Sequence, residues 1–482
     1  MSLQPRPSGA FRLKMLMDSL SYKPVRELSA LLVSRQLSAR ELLDACLTRI
    51  DRVNPVVNAI VTQDRDGAYA NADAIDARRA QGLPTSPLAG LPIAIKDLEP
   101  VKGMRTTMGS PIFKDWVPDF DTLMIERFRS HGLSILGKTN TPEFGLGSQT
   151  FNAVFGATKN PWDVTKTCGG SSGGAAVAVS TGMLPFADGS DMGGSLRNPA
   201  NFCGTVGLRT SPGRVPTYPS LNLWGTLGVL GPIARTAEDA AWLLSVQAGD
   251  DPRVTLGRCG DPTVFRQPLD RDFKGVRIGW SPTLGGLPVE KGVRDALEKS
   301  LKRFEAIGAV IEEAAPDLSI ADDAFQAQRA LHLVNSLGAH YRDKRHLLKD
   351  TAVWNIEQGL KLTGEQIAAA QTAQSKCFER MQRFLSRYDY FICPVNQVLP
   401  FDVTTPYPMT IDGVQLGNYL EWMKSACRIT MTSHPAASAP VAFAANGLPV
   451  GMQIVGHYGA ELEVLQLVHA VQLPLAERMP SL

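Results

Sequence analysis

The chain has 482 residues, 44% hydrophobic and 20% charged, with 49 Lys and Arg against 47 Asp and Glu for a net charge of +2. This is the composition of an ordinary soluble protein, long enough to bury a large core. Its balanced charge carries no electrostatic footprint for nucleic acid or for an anionic membrane.

Met1 to Tyr22 carries Arg6, Arg12 and Lys14 among broken apolar residues, without a signal-peptide centre or a cleavage site. Residues 1–24 are therefore read as an N-terminal extension and 25–482 as a single domain. Ser38 and Glu41 form a capping box for a helix whose apolar face is Leu42, Leu43, Cys46, Leu47 and Ile50, expected to end near Asn54-Pro55. Asn58–Val61 reads as a strand and Asp64–Arg79 as a helix. The chain then alternates: strand Leu91–Ile95, helix Thr122–His131, strand Ser134–Leu136, helix Ala175–Thr181 and strand Leu184–Ala187. Thr236 caps a helix through Leu244, with Glu238 and Asp239 at its positive end. Val276–Trp280 is a strand. Val293, Leu297, Leu301 and Phe304 mark a helix face, and Tyr390–Cys393 is a further strand. Short apolar strands between helices predict an α/β protein. Val254–Lys274 reads as a surface connection, and 318–425 as a helical portion packed on the domain.

Seven scattered cysteines (Cys46, Cys168, Cys203, Cys259, Cys377, Cys393 and Cys427) contain no C-x-x-C pair. The odd count argues for a reducing compartment, and the cytoplasm is the expected location. The histidines show no metal-ligand spacing, no run is long enough for a membrane span, and neither a metal nor an organic cofactor is expected.

The chemistry is carried by glycine and serine. Gly169-Gly170-Ser171-Ser172-Gly173-Gly174 precedes Gly189-Ser190-Asp191-Met192-Gly193-Gly194-Ser195-Leu196-Arg197. Glycine lets backbone N–H groups converge on an anion, and the Met192, Gly193 and Gly194 amides beside Ser195 suit an oxyanion hole. Ser195 is the candidate nucleophile, and Ser171 a candidate proton relay or a helix cap. Lys96 ends the apolar strand. A desolvated lysine loses its proton more readily and is a competent base, although position alone favours pairing with Asp97.

Two other patterns overlap these runs. Gly132–Thr139 satisfies G-x-x-x-x-G-K-[ST], but a phosphate loop follows a strand, whereas here the strand lies inside the motif. Gly169–Gly173 reads as G-x-S-x-G, but the preceding Asp163–Cys168 is too polar for the buried strand an α/β-hydrolase needs, and no histidine has a supporting context.

Together with Pro92–Asp97, Gly137–Gly145, Phe155–Trp162 and Gly447–Gln453, the two Gly/Ser runs resemble the amidase signature family. The likeness is dense over about 86–216, the signature core, and recurs at both ends. It departs from the family at Met192, often threonine, and at Arg209-Thr210-Ser211, often Lys-Pro-Thr. The resemblance implies an α/β fold with a large central mixed β-sheet flanked by helices. It also implies a serine amidohydrolase acting on C–N bonds of small amides, with anilides, carbamates and esters as further candidates. In it Ser195 forms the acyl-enzyme, Ser171 lies behind a cis peptide bond and relays a proton, and Lys96 is the base. Met192, Gly193 and Gly194 bind the oxyanion, and Phe144, Gly145 and Leu146 contact substrate. The expected partner is a small-molecule amide and at most a second copy of the chain as a homodimer, with neither nucleic acid nor membrane. The alternative within the family is the glutaminase component of a glutamyl-tRNA amidotransferase, working with a partner, but 318–425 does not resemble that component.

Overall fold

Four-to-eight-residue apolar runs are too short for buried helices and form strands instead. In the structure, a computed structural model describing residues 20–257 and 260–482, the runs 92–96, 134–139 and 390–394 are wholly buried. Cys259 and the first 19 residues of the expected N-terminal extension lie outside the described residues. The strands are β1 (Ile60–Gln63), β2 (Pro92–Lys96), β3 (Ser134–Thr139), β4 (Phe151–Asn152), β5 (Gly156–Ala157), β6 (Phe186–Asp191) and β7 (Val206–Arg209). They continue as β8 (Val229–Ala234), β9 (Arg277–Trp280), β10 (Val310–Glu313), β11 (Tyr390–Pro394), β12 (Thr410–Ile411), β13 (Val414–Gln415), β14 (Ala436–Phe443) and β15 (Pro449–Val455).

Eight of them form one mixed sheet in the order β10-β9-β11-β15-β14-β7-β8-β6. β10, β9 and β11 are parallel neighbours, and the pairings from β11 to β6 are antiparallel. With helices packed against it, this is the α/β architecture with a large mixed sheet expected from the sequence. β2 does not join that sheet. It pairs with β3 in a separate three-stranded sheet, β1-β3-β2, and reaches β6 through the Lys96 N–H, which donates to Asp188 Oδ1 at 2.9 Å.

The capping box at Ser38 and Glu41 forms, and Thr236 accepts from Asp239 N. The first expected helix end is corrected: the helix Ala39–Val57 continues through Pro55. Proline in the last turn removes a single N–H, and Asn58, at φ 54, closes the helix in the left-handed conformation. Asn58 as a cap also delays β1 to Ile60. β6 starts later than expected and runs on to Asp191, so the sheet delivers the second Gly/Ser run directly. Within 254–274, Pro262–Arg266 is a short 3-10 helix anchored by buried Phe265.

Three helices, Ala321–Lys344, Asp350–Leu360 and Gly364–Leu385, lie between β10 and β11. Phe325, Met381 and Phe384 pack with Phe391 and Cys393 of β11 in one apolar cluster. Among the described residues, no helix is long and apolar enough to cross a membrane.

The helix Gly173–Ser180 begins against backbone. A Cβ on Gly174 would lie 2.3 Å from Asn140 N and 2.5 Å from Ala59 O. Gly174→Ala is expected to destabilise the protein by about 1–3 kcal/mol through overpacking, measured as a lowered urea midpoint.

Candidate active site

Lys96 is fully buried, as its place at the end of β2 demands. Successive strand residues face opposite sides, and this separates it from Asp97. Asp97 accepts from Thr107 N and Thr107 Oγ1, and lies 3.9 Å from Lys138 Nζ. The pairing of Lys96 with Asp97 favoured by position alone is therefore not formed. Lys96 Nζ instead lies 2.8 Å from Ser171 Oγ, 2.8 Å from Ser172 Oγ and 2.9 Å from Ser190 Oγ. A neutral amine has two N–H donors and a lone pair, so it can donate to two of these hydroxyls and accept from the third. Burial lowers the Lys96 ammonium to about 7, against the pull of Asp188, Asp191 and Glu99. Burial raises the Asp188 carboxyl to about 7 as well.

Ser171 follows a cis peptide bond from Gly170. The next N–H, of Ser172, donates to the Ser195 carbonyl at 3.1 Å and so ties the two Gly/Ser runs together. Ser195 is 9% exposed. Among the described residues its hydroxyl has no hydrogen-bond partner, so it does not bond Ser171 directly here. Both hydroxyls line one cavity of about 770 Å³, within the usual size range for a small-molecule site. Phe144, Gly145 and Leu146 line it too. Gly145, at φ +69, abuts Ser171: a Cβ there would meet Ser171 Oγ at 3.4 Å.

The second run is organised by Asp191, a residue to which the sequence alone assigned no role. Its carboxylate accepts from Arg197 Nε and Nη2 at 3.0 and 2.9 Å, Gly194 N at 2.9 Å and Leu196 N at 3.1 Å. Arg209 Nη1 donates to the Asp191 carbonyl at 2.6 Å. Burial alone would raise this carboxyl, but Arg197 and Arg209 outweigh it and hold it far below the usual carboxylate range. The Gly194 N–H is thus engaged inward. The N–H groups of Met192 and Gly193 have no partner among the described residues. Ser172, Ser190 and Asp188 were also missed; Ser172 and Ser190 sit in the Gly/Ser runs, whereas nothing local marks Asp188.

The two overlapping motifs resolve by placement. Gly137-Lys138-Thr139 lies inside β3, and Lys138 is buried with its amine bonded to the Glu99 carbonyl and Thr106. No strand precedes Ser171 directly, since 168–172 is irregular. His332 lines the cavity, but it bonds neither serine. Among the described residues, no three His, Cys, Asp or Glu side chains gather as metal ligands would.

Comparison with known proteins gives concordant results. The family profile described as Amidase matches residues 41–465. The chain is 34% identical to the A-type subunit of glutamyl-tRNA(Gln) amidotransferase from Ralstonia nicotianae, over 93% of this chain and 97% of that one. It is 32% identical to an acylamidase of Rhodococcus erythropolis, over 96% and 98%. A bacterial aryl acylamidase of the amidase signature family superposes with a TM-score of 0.87 at 30% identity, covering 93% of this chain and 96% of that one.

Asp191→Ala leaves two guanidinium groups buried without their carboxylate. Stability is expected to fall by about 3–5 kcal/mol, read by chemical denaturation.

Proposed function

We propose a catalytic mechanism for this chain, which belongs to the amidase signature family and is a serine amidohydrolase of amide C–N bonds. In it Ser195 attacks the amide carbonyl, Ser171 passes the Ser195 proton to neutral Lys96, and the same pair returns it to the departing amine. Water then hydrolyses the acyl-enzyme by the same relay. The observation that carries this reading is the 2.8 Å contact of Lys96 Nζ with Ser171 Oγ, in the wall of the cavity that Ser195 lines. In the reacting complex Ser195 Oγ donates to Ser171 Oγ, since catalytic hydrogen bonds commonly tighten when substrate binds.

We place the oxyanion between the Met192 and Gly193 N–H groups. Gly194, expected to share this role, already gives its N–H to Asp191. Phe144, Gly145 and Leu146 are the proposed substrate contacts. The acylamidase relatives support anilides beside simple amides as substrates. We place the enzyme in the cytoplasm, a reading supported by six buried free thiols. The 34% identity to an amidotransferase component favours a second reading, a glutaminase that works with a partner protein. Glutamine turnover, or co-purification with a second polypeptide, would select it.

Ser195→Ala is expected to lower kcat roughly ten-thousandfold or more and to abolish both fluorophosphonate labelling and the acyl-enzyme mass. Persistent labelling rejects Ser195. An amine lowered to about 7 is charged below that pH and neutral above it, so kcat/KM rises with pH through about 7 and then levels. Asp188 titrates in the same range, so the apparent value belongs to the pair. Asp188→Asn removes a charge that favours the ammonium and should move the rise to lower pH; an unmoved or upward limb contradicts the assignment.

A further inference from the structure

One wall of the cavity is the helix Ala321–Lys344, and it presents a cation that amide cleavage does not use. Arg329 lines the cavity and is 4% exposed. Its Nε and Nη2 donate to Tyr419 Oη at 3.3 and 3.2 Å, and Nη1 approaches Met192 Sδ at 3.6 Å. Tyr419 Oη also accepts from Asn355 Nδ2 at 2.6 Å, so the phenol is already shared. No carboxylate lies within 4.0 Å of the Arg329 guanidinium among the described residues.

The other buried arginines have other partners, and none of them lines this cavity. Arg197 and Arg209 meet Asp191, and Arg428 meets Asp322. Arg49, Arg79, Arg235 and Arg478 donate to backbone carbonyls. Arg329 has only a phenol and a thioether. An arginine cannot shed its charge, and a buried charge without a counter-ion is costly.

Its position puts that charge beside the reacting centre. Phe325, one helical turn earlier, would touch a Cβ on Gly193 at 3.0 Å, and Met192 adjoins the same run. The acids on the cavity wall are engaged elsewhere: Asp191 with its two arginines, and Glu99 beside buried Lys138. A second cation, Lys349, donates to the carbonyl of cavity-lining Leu146 at 2.6 Å. Burial lowers its ammonium to about 8, against the pull of the neighbouring Glu143 carboxylate, which also accepts from the Lys349 N–H.

We propose that Arg329 is a specificity residue for a carboxylate, and that the substrate is an amide bearing one on its acyl or its amine part. This rests on the reading of the cavity as the site of acylation at Ser195. An ammonium group next to that carboxylate meets the same cationic wall, so a plain carboxylate is preferred over an amino acid.

The test is kinetic. Succinamic, glutaramic and adipamic acids are compared with neutral n-alkyl amides of matching length, and N-acetylglycine with N-ethylacetamide. Glutaramic acid is also compared with glutamine, which differs by the α-ammonium. In the wild type at least one carboxylate arm is expected to exceed its neutral partner in kcat/KM by about 10- to 100-fold, the range for a hydrogen bond to a charged group. Arg329→Gln is expected to erase that ratio mainly through KM, and Arg329→Lys to retain part of it. Neutral partners preferred in both arms, glutamine preferred over glutaramic acid, or an Arg329→Gln variant that slows both members of a pair equally would each overturn the proposal. The wild-type ratios decide the matter even if the variants fail to fold. Brisk turnover of neutral amides without a carboxylate preference refutes this inference alone. Absence of Ser195 acylation by every amide refutes the catalytic reading and this inference with it.

Discussion

A lysine amine held in a dry interior by three hydroxyls is the constraint around which this fold is arranged. Lys96 Nζ touches Ser171, Ser172 and Ser190, and no carboxylate lies within 4.0 Å of it among the described residues. Hydroxyls satisfy the amine's hydrogen-bonding capacity without stabilising its charge as an anion would, so burial dominates and the proton is held weakly. Each hydroxyl comes from the end of a different local arrangement. Ser171 follows the cis peptide, Ser172 caps the helix Gly173–Ser180, and Ser190 stands near the end of β6. Displacing any one of them would leave a polar atom in an apolar interior, which ties their positions to each other.

The second constraint is the Asp191 carboxylate, which converts a glycine-rich turn into a fixed one. A run such as Met192-Gly193-Gly194 has wide conformational freedom by itself. Asp191 removes it by accepting from Gly194 N and Leu196 N while Arg197 and Arg209 neutralise its charge. Arg197 then extends the network outward, to the Ala426 carbonyl and Thr430 Oγ1 in the helix Lys424–Met431, and to the Gln453 side chain in β15. The Ser195 turn is thereby braced against both the large sheet and the helical wall, the kind of support that holds functional groups to within fractions of an ångström.

The parts of this site legible in the sequence are those whose signal is local. The glycine frames of Ser171 and Ser195, the strand before Lys96 and the caps at Ser38 and Thr236 all show within a few residues. Strand alternation is legible too, and it sends Asp97 away from Lys96, although position alone favours the pair. The rest depends on contacts that spacing does not disclose. Nothing near Asp188 announces that it meets the Lys96 N–H, 92 positions away. Nor does the sequence say that β2 belongs to a small sheet of its own, because strand partners are set by packing. Pro55 reads as a helix end because proline usually is one; a cap at Asn58 makes it tolerable. Gly194 reads as an oxyanion donor because spacing cannot reveal that the Asp191 carboxylate turns back to claim its N–H.

Lys96 and Arg329 answer the same physical problem in opposite ways. Both are basic side chains placed where water is scarce, Arg329 on the cavity wall and Lys96 buried behind the cavity-lining Ser171. Lysine has a protonation equilibrium that burial can move, so the fold relieves the cost by weakening its hold on the proton. Arginine has no such escape at any pH that the fold survives. The relief for Arg329 must therefore come from outside the side chain, and Tyr419 and Met192 supply only neutral contacts. One residue relieves desolvation by changing itself, the other, on the proposal made here, by the carboxylate it binds.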